Sequence, residues 1–100
     1  MTKETKLTKS ARGQECQIRI PGVCNFGSST VVLAHKNGGG AGMKSPDWLG
    51  AYACFECHRF VDGGYVEYGA DRDTALLYHY EGIFRTQELM VAQGFITIMK

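Results

Sequence analysis

Residues 49–62 read Leu49-Gly50-Ala51-Tyr52-Ala53-Cys54-Phe55-Glu56-Cys57-His58-Arg59-Phe60-Val61-Asp62, and their reading decides the fold. Leu49–Ala53 is expected as a strand, and Phe55–Asp62 as a short helix stopped by Gly63-Gly64. A Cys-x2-Cys pair, Cys54 and Cys57, therefore falls where strand gives way to helix. Its counterpart lies upstream as Cys16-x7-Cys24, beside the turn pair Pro21-Gly22. Four thiolates fill the tetrahedral preference of zinc completely and make a closed structural site. Such a site cross-links segments that a small core would struggle to hold together. Two other chemistries use the same residues. Disulfides need an oxidising compartment, and nothing in the chain points to secretion. A redox Cys-x-x-Cys belongs beside a thioredoxin-like βαβ pattern, which is not seen here. Structural zinc is the favoured expectation.

Working outward, Glu15–Ile20 alternates as a strand, and Val31–Leu33 is a β-branched run ending at Ala34-His35. Lys36–Ser45 holds Gly38, Gly39, Gly40 and Gly42 and reads as a loop. It is not a Walker A loop, since Met43 stands where the final glycine should be. Leu76, Leu77, Tyr80, Ile83, Phe84, Met90 and Val91 recur at helical spacing, so a helix of about 20 residues should lay one apolar stripe on the domain. Asp71 or Asp73 could cap its start and Gly94 its end. Phe95–Met99 reads as a closing strand. The chain thus divides into a flexible or partly helical lead-in (1–14), a zinc-bound core (15–64), and a helix with a short strand packed on it (65–100), one α+β domain overall.

Composition agrees with a single small domain of 100 residues. Its 44% hydrophobic content argues against wholesale disorder, and a net charge of +1 excludes a polybasic or acidic tail protein. No apolar run approaches the roughly 18 residues of a membrane span. The polar start MTKETKLTKS shows no secretory signal, so a cytoplasmic location is expected. Charge is unevenly placed: residues 1–60 carry eight basic and four acidic groups, residues 61–100 three and six. A basic front half suits a polyanionic partner, although a difference this small also arises by chance.

The histidines give the pattern its chemistry. Strand, His35, glycine loop, strand, then Cys-x2-Cys-His58 on a helix is the order of the ββα-metal nuclease motif. In that motif the first histidine is the general base toward water, and the helix histidine holds a metal that offsets charge on the scissile phosphate. His58 and Asp62 are four residues apart on a helix and could hold one divalent ion, separate from the cysteine site.

At this point a resemblance becomes specific. The chain resembles the small phage and prophage proteins of the YbcO type, assigned as nucleases within the wider HNH (His-Me finger) group. The matching segments are Ala11-Arg12-Gly13-Gln14-Glu15-Cys16-Gln17-Ile18-Arg19-Ile20-Pro21-Gly22-Val23-Cys24, Leu33-Ala34-His35, Gly42-Met43-Lys44-Ser45-Pro46-Asp47, and Ala53-Cys54-Phe55-Glu56-Cys57-His58 with Asp62, and Arg85-Thr86-Gln87 extends the likeness. The resemblance implies a zinc-stapled ββα-metal core, zinc on Cys16, Cys24, Cys54 and Cys57, and metal-dependent cleavage of DNA or RNA. It casts His35 as the base and Mg²⁺ or another divalent cation as the catalytic ion; a phage-encoded member would act in the host cytoplasm. Two departures stand out: Ala34 occupies the place where many HNH nucleases carry a metal-binding Asp, and Leu49 the place of the middle Asn. Asp47 is then open to two roles, a further ligand or a partner holding His35. Arg12, Arg19, Lys36 and Lys44 are the candidate phosphate contacts. The competing expectation is a non-catalytic zinc module that binds nucleic acid or a protein.

Overall fold

In the computed structural model, residues 5–36 and 45–99 are described. Helix α1 (Lys6–Ser10) leads into a loop carrying Cys16 and Cys24, followed by strand β1 (Val32–His35). A 3-10 turn at Asp47–Leu49 enters strand β2 (Gly50–Ala53), helix α2 (Phe55–Val61) follows, and a second 3-10 turn (Gly64–Tyr68) leads to the long helix α3 (Arg72–Ala92). β1 and β2 pair antiparallel, with Val32 opposite Ala53 and His35 opposite Gly50. The result is a small α+β domain with a two-stranded sheet and a long C-terminal helix. Its radius of gyration of 13.3 Å matches the roughly 13 Å of a compact chain this long. No helix among the described residues is long and apolar enough to cross a membrane.

All four residues of β2 are buried, because β1 covers one edge and α3 lies across the strand. Tyr52 has no exposed surface; its hydroxyl reaches Ser10 Oγ at 2.8 Å, which ties α1 to the sheet. Burial pushes the phenol above its ordinary pKa, so it stays neutral. α2 begins on a cysteine: Cys54 is the N-cap, and its Sγ accepts from the Cys57 amide at 3.4 Å. One residue therefore starts the helix and supplies a sulfur. α3 starts as its composition suggests, with Asp71 accepting from Thr74 N at 2.8 Å. It stops at Gly94, whose φ of +80° a side chain would resist.

Three expectations from the sequence fail. Residues 15–20 form no strand; Arg19 takes φ +55°, and the chain curls so that Cys16 faces the other sulfurs. Residues 95–99 form none either, because Phe95 N and Ile96 N are both spent on Met90 O, at 2.8 and 3.2 Å. The third concerns which face α3 buries. Ile83 and Met90 of the expected stripe are buried, but Ala75, His79, Gly82 and Thr86 complete the packed face, whereas Leu77, Phe84 and Val91 are exposed. Close approach selects small residues: a Cβ on Gly82 would meet Ile18 Cγ1 at 2.7 Å and Ala51 Cβ at 3.3 Å. Leucine or phenylalanine at position 82 would hold the helix off the sheet.

Candidate metal centre and active site

The sulfurs of Cys16, Cys24, Cys54 and Cys57 lie within 4.8 Å of one another, all four residues buried and none in a disulfide. Cys24 Sγ and Cys54 Sγ are 3.8 Å apart, close to the edge of a tetrahedron with metal–sulfur bonds of about 2.3 Å. Amides are aimed at the sulfurs: Phe26 N at Cys24 Sγ and Cys57 N at Cys54 Sγ, each 3.4 Å away. The Cys16 thiol is pulled down to about 4, chiefly by its hydrogen bond from Cys57 and further by the amides of Arg19, Cys54 and Ile18. Burial raises Cys24 to about 11, and the bond to Cys16 drives Cys57 upward. Four thiolates this close repel one another unless a cation sits among them, so the donor set fits a zinc-type metal.

At the far end of β1, the half-buried His35 places Nε2 2.7 Å from Asp47 Oδ1. A carboxylate only accepts, so Nε2 is the donor of this contact. The other oxygen of Asp47 accepts from the Thr5 hydroxyl at the start of α1. Lys36 N bonds to Leu49 O at 2.8 Å and continues the hairpin past the strand ends, bringing positions 35 and 47 side by side. Of the two roles open to Asp47, this contact is the one with His35.

His58 lies half-buried on α2, and Asp62 is its C-cap, with Asp62 N bonded to His58 O at 3.1 Å. Asp62 opens into a cleft between the end of α2 and the first turns of α3, lined also by Tyr65, Arg72, Ala75 and Tyr80. Among the described residues only the cysteines gather three or more potential ligands within 4.8 Å, so His58 and Asp62 form at most an open, two-ligand site.

A residue that the sequence reading passed over lies beside them. His79 is 1% exposed; its Nε2 donates to the carbonyl of Ala34 at 2.9 Å, immediately before His35. Its buried Nδ1 has no hydrogen-bond partner among the described residues. Burial lowers its pKa, the Ala34 carbonyl opposes that, and the charges of His58, Asp62 and His35 all reach it. The imidazole thus marks where β1, α2 and α3 meet. Its signal was available: it shares the helical face of Ala75, Gly82 and Thr86, the residues small enough to touch the sheet.

The basic candidates are dispersed. Arg12 borders a groove with Gly13 and Ser28–Val32, near the start of β1. Arg19 turns back on its own loop, with Nε 3.3 Å from Cys16 O and Nη2 3.2 Å from Gln17 Oε1. Lys36 follows His35 and borders a hollow with Leu49, Tyr80 and Phe84. Lys44 lies outside the described residues. Arg85, Thr86 and Gln87 hold α3 to three segments: Arg85 Nη1 donates to Gln17 O at 2.7 Å, Thr86 Oγ1 accepts from Tyr52 N at 2.9 Å, and Gln87 Nε2 donates to Trp48 O at 2.6 Å.

Comparison with known proteins places the chain in a family. The family model described as "Putative nuclease YbcO" matches residues 5–95. The protein named "Putative nuclease YbcO" from Escherichia coli strain K12 is 44% identical over 100 residues, covering 90% of this chain and 95% of that protein. "Putative nuclease ybcO" of Enterobacteria phage 82 matches with the same identity and coverage. The solved structure titled "Structure of a putative bacteriophage protein from Escherichia coli str. K-12 substr. MG1655" superposes with a TM-score of 0.74 at 40% identity, covering 88% of this chain and 99% of that one. This chain belongs to the YbcO family, whose members are named as nucleases.

Proposed function

We propose that this protein is a metal-dependent endonuclease of the HNH (His-Me finger) type, hydrolysing phosphodiester bonds of nucleic acid, DNA foremost. The observation that carries the reading is the His35–Asp47 pair at 2.7 Å, at the open end of a hairpin whose second strand leads into the helix bearing His58. His35 Nδ1 takes the proton of the water that attacks phosphorus, and Asp47 holds the ring and offsets the imidazolium that forms. Thr5 fixes the second oxygen of Asp47, so the carboxylate stays aimed at His35. His58 and Asp62 are the residues that would hold a divalent ion. Imidazole and carboxylate suit Mg²⁺ or Mn²⁺ when water and phosphate fill the remaining positions. Such an ion, when bound, supplies positive charge to the phosphorane and the leaving oxygen. The side chain of Ala34 is buried and non-coordinating, which leaves the ligand role to Asp62. The four cysteines hold zinc as a structural clamp, and Arg12, Arg19, Lys36 and Lys44 are the candidates for phosphate contacts.

The test is nicking of supercoiled plasmid with Mg²⁺ or Mn²⁺, using His35→Ala as the control. The wild type should nick, and the variant should not while keeping its zinc. A wild type that binds nucleic acid but cleaves no DNA or RNA would replace this reading with that of a non-catalytic zinc module.

A further inference from the structure

The cleft beside Asp62 holds groups that the nuclease reading leaves unused. Tyr65 and Tyr80 border it together with Ala75 and Leu76, and Arg72, the first residue of α3, stands at its edge. The ring of Tyr65 rests on Phe60, with centroids 6.4 Å apart, so that part of the wall is backed by the core. Among the described residues no ion pair joins Arg72 to Asp62 or to another carboxylate. Its acidic neighbours in sequence, Asp71 and Asp73, do not border the cleft, and Asp71 is occupied in capping α3. Tyr80 also borders a second hollow, edged by Lys36 and Leu49. Lys36 directly follows His35, so a single aromatic residue separates two cavities, each with one cation at its edge.

We propose that the Asp62 cleft takes the base of an unpaired nucleotide, so that the substrate is single-stranded where it is cut. The inference rests on the nuclease reading and supplies its substrate form. Aromatic side chains bind a base through its flat face, which neighbouring base pairs cover in a duplex. The cleft encloses about 200 Å³. That is below the roughly 300–1,000 Å³ of pockets for whole drug-sized ligands, and suits one base. Arg72 and Lys36, on either side of Tyr80, complete the pattern of single-strand sites, in which cations track the backbone while aromatic residues stack the bases. Arg72 is thus a further phosphate contact, and Tyr80 the residue that selects an unpaired strand.

Fluorescence anisotropy with the His35→Ala chain in Mg²⁺ tests this, because it reads binding apart from cleavage. An oligothymidylate of about 12 nucleotides, within the span of single-strand sites, is compared with a hairpin duplex. Charge alone favours the duplex, which carries the denser phosphates. The cleft should reverse that preference, by about 5- to 150-fold, the worth of one stacked base. Tyr80→Ala should lose a similar factor and Tyr80→Phe very little. Arg72→Ala should make the slope of log affinity against log salt shallower by about 0.7, one phosphate contact on a single strand. A ribo-oligonucleotide of matching sequence shows which strand is taken, since base faces and phosphates are common to DNA and RNA. Circular dichroism and zinc content report folding; should Tyr80→Ala unfold, the strand preference and the exposed Arg72 carry the test. A duplex bound as tightly as the single strand overturns the proposal, as does a folded Tyr80→Ala of undiminished affinity or an unchanged salt slope in Arg72→Ala. Such a failure leaves plasmid nicking by the wild type untouched. A wild type that shows all three binding effects yet cleaves nothing keeps the cleft as a single-strand site and refutes the nuclease reading alone.

Discussion

In the proposed function His35 and Asp47 divide one task between a base and the group that aims it. Replacing His35 by Ala should lower cleavage by about 10²–10⁴-fold, the range of general-base catalysis, with zinc content and melting unchanged. Asp47→Asn keeps a side chain of the same shape and removes its charge. It should therefore lower turnover less and substrate binding little, a pattern that steady-state kinetics can read. His79 acts differently, because its pKa is lowered by burial. Above pH about 6.5 both folded and unfolded chains hold this ring neutral. Below that value the unfolded chain takes up a proton that the folded one refuses, so stability falls as pH drops toward the folded pKa. Urea unfolding at about pH 7.5 and about pH 5.5 should show that loss, and His79→Gln should make it shallower. An equal loss in both proteins would mean that His79 is not the titrating group.

At the scale of the element, α3 packs on a face that includes Gly82 and Thr86 and leaves Leu77 and Phe84 outside. Gly82→Ala would ordinarily favour a helix by about 1 kcal/mol. Here the new methyl would strike Ile18 Cγ1 at 2.7 Å and the Ile18 Cα at 3.1 Å. A net loss of about 1–3 kcal/mol is expected in denaturant titration. Thr86→Val keeps the shape but leaves the buried Tyr52 amide without its acceptor, costing about 1–3 kcal/mol by the same measurement. Were either substitution neutral, the helix would have to stand farther from β2 than the approach of Gly82 to Ala51 allows.

For the molecule as a whole, the sulfur cluster joins the 16–24 loop to the hairpin and α2, so fold and metal should be lost together. Elemental analysis should find one zinc per chain; Cys54→Ser, or a strong chelator, should abolish both zinc and cooperative melting. A folded, metal-free chain would refute the clamp. Much of this architecture is local and was legible. The caps of α3 at Asp71 and Gly94, the hairpin strands, the glycine stop after α2 and the cysteine spacing follow from turn chemistry and periodicity within a few residues. Other features depend on contacts between distant positions. His79 meets Ala34 across 45 residues, and Arg85 meets Gln17 across 68. A helical repeat of apolar residues cannot say which face will be buried when close approach at Gly82 decides it. That is why Leu77 and Phe84, the strongest apolar marks on α3, stand outside while His79 and Thr86 lie within. Local sequence determined which elements form and where they end; tertiary packing alone decided what each face touches, because close approach is a property of two surfaces and not of one.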